Sequence, residues 1–132
     1  MPSIPSGGPV DPALIDDLVA ASRILALHGV LDAWGHVSMR HPNNPDRYLM
    51  SCARAAGLVT AGDIMEFDIN SDPVDQQGRR MFLERYIHGE AYKARPDVNA
   101  VVHSHSPTVV PFSVTEEPLR AISSVASRSL AT

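Results

Sequence analysis

The stretch Ala94-Arg95-Pro96-Asp97-Val98-Asn99-Ala100-Val101-Val102-His103-Ser104-His105 decides how this chain is read. Arg95-Pro96 ends a helix, because the residue before a proline is disfavoured in the helical region. Asn99-Ala100-Val101-Val102 is β-prone and uncharged, which predicts a buried strand, and Ser106-Pro107 stops it. Side chains alternate faces along a strand, so His103 and His105 point the same way, with α-carbons roughly 7 Å apart. Two same-face imidazoles are half of a metal site, since a ligating nitrogen sits about 2.0–2.1 Å from zinc. Two surface histidines at a strand end carry the same letters, so the reading turns on what completes the pair.

Upstream of this strand, a helix is predicted from about 81 to 94, with Leu83, Tyr86, Ile87 and Ala91 on its buried side. Further back lie three short strands, at 37–40, 48–51 and 64–69. His41-Pro42-Asn43-Asn44-Pro45 and Asn70-Ser71-Asp72-Pro73 supply turn chemistry between and after them, which suggests antiparallel neighbours. The first helix opens with Asp11 as N-cap and Pro12 in the first turn, runs along Leu14, Leu18, Ile24 and Leu25, and stops at His28-Gly29. Residues 1–10 are rich in Pro, Gly and Ser and read as a mobile arm. Residues 11–120 form one domain, and 121–132, with much Ser and Ala and little periodicity, read as an irregular tail.

At 132 residues the chain holds one domain at most. Its 44% hydrophobic and 20% charged residues fit a soluble globular protein, and no apolar run reaches the roughly 18 residues of a membrane span. A net charge of −4 with scattered Lys and Arg leaves no footprint for nucleic acid. Cys52 is the single cysteine, so no intramolecular disulfide forms, and the N-terminus lacks a secretory pattern. A cytoplasmic protein is expected.

The segment Gly35-His36-Val37-Ser38-Met39-Arg40, the segment Leu83-Glu84-Arg85-Tyr86-Ile87-His88 and the 94–105 run together carry a resemblance. Over about residues 12–120 the chain resembles the class II aldolase/adducin family. The resemblance implies a three-layer α/β/α sandwich around a mostly antiparallel sheet, usually assembled into a tetramer with sites between subunits. It implies that His103 and His105 ligate a divalent metal, zinc first and manganese as the alternative, and that Glu84 is the acid/base. His88, one turn beyond Glu84, reads as structural. Without the resemblance, Glu84 would read as an exposed helix residue paired with Arg85 or His88.

The chemistry is consistent with these residue types. A divalent ion held by neutral imidazoles keeps positive charge and open positions for a hydroxycarbonyl or keto-acid fragment. A nearby carboxylate moves the proton.

Family enzymes acting on sugar phosphates surround the phosphate with small polar groups, where this chain has Phe82, Leu83 and His36. Arg54, in Ser51-Cys52-Ala53-Arg54-Ala55, suits a planar carboxylate, although a solvated loop arginine reads the same way. Gly35, His36 and Arg54 are the substrate-binding candidates, and the substrate is expected to be a small, carboxylated, non-phosphorylated molecule. The resemblance also implies a third histidine ligand far downstream, whereas no histidine follows His105. This suggests a C-terminally truncated chain, with the third ligand drawn from His36, His88, a neighbouring subunit or water. Two functions follow: a metal-dependent lyase performing aldol cleavage or decarboxylation, or a silent scaffold that keeps the fold without the chemistry.

Overall fold

The structure is a computed structural model that describes residues 4–118 and 120 of the 132. The tail expected at 121–132 lies outside the described residues. The elements run α1 (Pro12–Leu27), β1 (His36–Arg40), β2 (Arg47–Ser51), β3 (Ile64–Asp68), α2 (Arg85–Ala94) and β4 (Ala100–His103), with short 3₁₀ turns at Ala56–Leu58, Ala61–Asp63 and Val110–Ser113.

The ends of α1 follow the sequence signals. Asp11 accepts a hydrogen bond from the Ala13 N–H at 2.9 Å, satisfying one of the free donors of the first turn. At the other end Gly29 takes φ +69°, a left-handed conformation that glycine adopts without steric penalty.

All strand pairs are antiparallel, in the order β3-β2-β1-β4. Alternation along the strands sends two sets of side chains to opposite faces. Val37 and Leu49 meet Leu18 of α1 on one face. Tyr48, Met50, Met65 and Phe67 meet Phe82 and Tyr92 of the α2 region on the other. The result is the expected α/β/α layering around an antiparallel sheet.

Two expectations are corrected. First, α2 begins at Arg85, not near 81, and Leu83, Tyr86 and Ile87 are exposed. Its inward face consists of Arg85, His88, Gly89 and Tyr92. Those polar groups are buried because each finds a partner, as buried polar groups must. Arg85 donates to the Ser71 carbonyl at 2.9 Å, to the Phe82 carbonyl at 3.1 Å and to the Tyr86 hydroxyl at 2.7 Å. Second, β4 is an edge strand of the described sheet and not a buried one: Ala100 and Val102 are exposed, and Val101 and His103 are half-buried. It pairs with β1 on one side only. In the arm, the described residues make specific contacts. Ser6 and the Gly7 N–H both donate to the Glu66 carboxylate at 2.6 Å, and Arg47 donates to the Pro5 carbonyl at 3.2 Å. Among the described residues no helix is long and apolar enough to cross a membrane.

Candidate metal centre

The sheet register builds the site. β1 and β4 pair so that His36 stands opposite His103, and cross-strand partners on one face are immediate neighbours. Close approach here requires glycine at position 35. A Cβ on Gly35 would lie 2.8 Å from Leu31 Cδ2 and 3.1 Å from the His103 carbonyl oxygen.

His103 and His105 converge as the strand geometry predicts. Their Nε2 atoms are 3.1 Å apart. Two ligands held about 2.05 Å from one tetrahedral ion stand about 3.3 Å apart, so the spacing fits a shared metal. Glu84 faces both, with Oε1 3.9 Å from His103 Nε2 and 4.0 Å from His105 Nε2. Its other oxygen lies 3.8 Å from His36 Nε2. Donor atoms of His36, Glu84 and His103 all fall within 4.8 Å of one another. Glu84 occupies the N-cap of α2, yet its side chain makes no capping hydrogen bond, which leaves the carboxylate free to face the histidines.

Asp32 orders this arrangement, and sequence reading missed it. Its Oδ1 accepts from the Trp34 N–H at 2.9 Å and the Gly35 N–H at 2.7 Å, an Asx turn that sets the entry into β1. The same carboxylate lies 3.1 Å from His105 Nδ1. A proton on that Nδ1 leaves the Nε2 lone pair free for a metal, the usual second role of a carboxylate behind a ligating histidine. The Trp34 N–H, then the Gly35 N–H and His105, hold the Asp32 carboxyl below its ordinary range. An Asp three residues before a Gly at a strand entry is the signal that could have found it.

His36 is 2% exposed, and its Nε2 is buried without a hydrogen-bond partner among the described residues. Its Nδ1 lies 2.7 Å from His88 Nε2, and His88 Nδ1 lies 2.6 Å from Ser38 Oγ. Ser38 Oγ in turn lies 2.7 Å from the Tyr92 hydroxyl. His88, expected to be structural, is fully buried in this chain of contacts. Burial pushes the His36 pKa down to about 4 and that of His88 down to about 3, so both imidazoles are neutral at pH 7.

Next to the histidines, Trp34, Ala53, Arg80, Phe82 and Glu84 line a cleft of about 300 Å³. A second, of about 250 Å³, shares Trp34, Ala53, Arg80 and Phe82 and adds Arg54. Arg54 is not part of the histidine cluster. It donates to the Leu58 carbonyl at 2.8 Å and pairs with Asp63 at 3.4 Å. Arg80 lines both clefts and was not singled out in the sequence. Gly35 shapes the backbone and gives its N–H to Asp32; it lines neither cleft.

Comparison with known proteins gives a consistent picture. The profile described as Class II Aldolase and Adducin N-terminal domain matches residues 16–131. Decarboxylase tropJ of Talaromyces stipitatus is 39% identical over 104 residues, covering 77% of this chain and 39% of that protein. The 3,4-dihydroxyphthalate decarboxylase of Arthrobacter keyseri is 34% identical over 102 residues, covering 70% of this chain and 40% of that protein. Among solved structures, L-fuculose 1-phosphate aldolase from Glaciozyma antarctica PI12 superposes with a TM-score of 0.74 at 30% identity, covering 90% of this chain and 50% of that one. The chain therefore spans half or less of the length of these relatives.

Proposed function

The chain belongs to the class II aldolase and adducin family, whose enzymes depend on a divalent metal, and from that premise we propose that it carries the metal-binding core of a carbon–carbon lyase. The reaction is decarboxylation or aldol cleavage of a small, carboxylated, non-phosphorylated substrate. The observation that carries this reading is the meeting of His103 and His105 at 3.1 Å with Glu84 in front of them and Asp32 behind.

His103 and His105 would hold the ion, zinc first and manganese second. A divalent ion there supplies positive charge that offsets the negative charge left on the substrate when a carbon–carbon bond breaks. Asp32 keeps the proton of His105 on Nδ1. Glu84, facing His103 and His105 and half-exposed to the cleft, takes a proton from a substrate hydroxyl or returns one to carbon. Phe82, Leu83 and Trp34 line the cleft beside it.

Arg54 and Arg80 border the adjoining cleft and anchor the substrate carboxylate through forked N–H donors. The small hydroxyl and amide groups that a phosphate demands are replaced by Phe82, Leu83 and His36, which favours the carboxylate. The decarboxylase relatives support the same choice. Assembly into a tetramer in the cytoplasm completes the reading.

The test is release of carbon dioxide from a panel of hydroxylated aromatic carboxylates, 3,4-dihydroxyphthalate among them, with L-fuculose 1-phosphate as the sugar-phosphate comparison. Zinc- or manganese-dependent turnover of a carboxylate, abolished by chelation, is expected. Turnover of the sugar phosphate alone, or none that depends on metal, overturns the reading.

A further inference from the structure

Four residues in line, His36, His88, Ser38 and Tyr92, share three close contacts, and the hydrogens available to them can be counted. Each contact uses one hydrogen: Tyr92 to Ser38 at 2.7 Å, Ser38 to His88 at 2.6 Å, and His88 to His36 at 2.7 Å. Two hydroxyls and two neutral imidazoles bring one hydrogen each, so one hydrogen is left over. Its place sets the direction of the whole chain.

If every donor points toward the site, Tyr92 donates to Ser38, Ser38 to His88 Nδ1, and His88 Nε2–H to His36 Nδ1. The spare hydrogen then sits on His36 Nε2, the atom that faces the centre. In any other direction the spare hydrogen belongs to the hydroxyl of Tyr92 or Ser38, which are 1% and 0% exposed. Neither hydroxyl has another acceptor among the described residues. A buried donor left without an acceptor costs roughly 1–3 kcal/mol. At the site end the hydrogen also lacks a hydrogen-bonded acceptor among the described residues, but there it faces the negative charge of the Glu84 carboxylate, 3.8 Å away, which favours it over a bare lone pair.

We infer that His36 is locked with its proton on Nε2, so that it is a hydrogen-bond donor aimed into the site and not a third metal ligand, and that His88, Ser38 and Tyr92 are the positioning residues that fix this tautomer. A ligating nitrogen must present a lone pair, and here the lone pair of His36 is on Nδ1, engaged by His88. The complement of the donor is an anionic oxygen on the substrate, and a neutral imidazole already held in place stabilises such an oxygen without reorganising. This deepens the proposed enzyme reading, which it needs only for the identity of what the donor meets.

The test uses the purified protein labelled with ¹⁵N in its six histidines. Long-range ¹⁵N–¹H correlation assigns the protonated nitrogen of each ring, first without metal and then with one equivalent of zinc. His36 and His88 are expected to show protonated Nε2 and bare Nδ1 in both states, while zinc shifts His103 and His105. A bare Nε2 on His36, or a zinc-ligated shift there, overturns the inference. If zinc shifts no histidine, the metal reading fails, and the tautomer in the metal-free protein still decides this one. Ser38→Ala cuts the chain and is expected to give His36 a mixture of tautomers. Tyr92→Phe leaves Ser38 with His88 as its only acceptor and keeps the single tautomer. A single unchanged tautomer in S38A, or a mixture in Y92F, overturns the positioning roles.

Discussion

The carboxylate of Asp32 lies 3.1 Å from His105 Nδ1 across 73 residues of sequence, while its Oδ1 takes the N–H groups of Trp34 and Gly35. One side chain thus shapes the turn into β1 and orients an imidazole at the end of β4. Asp32→Asn keeps the size but loses the charge that favours a proton on Nδ1. Zinc affinity should fall about 10- to 100-fold, the usual effect of removing such a partner. Competition against a chromophoric chelator at pH 7.5 measures it, and an unchanged affinity would remove Asp32 from the metal centre.

Glu84 caps nothing, so its replacement should leave the fold intact. Glu84→Gln is expected to retain zinc and to lower turnover at least about 10²-fold, the lower range for loss of a general acid/base. Loss of metal together with activity would instead make Glu84 a ligand.

Stability should fall in weak acid. The pKa of His36 is lowered from its ordinary 6.5 to about 4, and that of His88 to about 3, with burial the largest cause of each. The unfolded state therefore binds protons that the folded state refuses. Stability is full above pH 6.5, declines as pH falls from 6.5 toward 4, and levels off below the folded values. Each histidine contributes up to about 1.4 kcal/mol per pH unit within that window. Urea midpoints at pH 7.5, 6 and 5, with chelator present, give the slope, and His88→Gln should reduce it. A flat profile would mean that these imidazoles protonate in place.

Gly89 lets α2 approach the loop after β3. A Cβ there would collide with Ser71 Oγ and lie 2.8 Å from the Ile69 carbonyl oxygen. Gly89→Ala should destabilise by about 1–3 kcal/mol, as overpacking does, despite the better helix propensity of alanine. A thermal midpoint equal to or above the parent's would show that the loop yields.

Much of this fold could be read from the chain because its signals are local. Asp11, Pro12 and Gly29 bound α1, and Val101 to Ser106 place the two histidines at a strand end. α2 was misjudged for a physical reason. Hydrophobic periodicity locates a buried face only when that face is apolar, and here Arg85, His88 and Tyr92 go inward with their hydrogen bonds satisfied while Leu83, Tyr86 and Ile87 stay outside. The roles of Asp32, Ser38 and Tyr92 depend on contacts between distant residues, which no spacing rule reveals. The burial of β4 was misread because the short apolar run Ala100-Val101-Val102 has the same letters at the edge of a sheet as in its middle.

The pairing of His36 with His103 would also let an ion bound there inspect the threading. If β4 slipped by one residue against β1, Val102 would turn toward Glu84 and His103 would face away. Coordination would add its free energy to one alignment of this short edge strand and to no other. Metal capture would then serve as proofreading, rewarding the correctly zipped sheet and leaving shifted pairings free to come apart and try again.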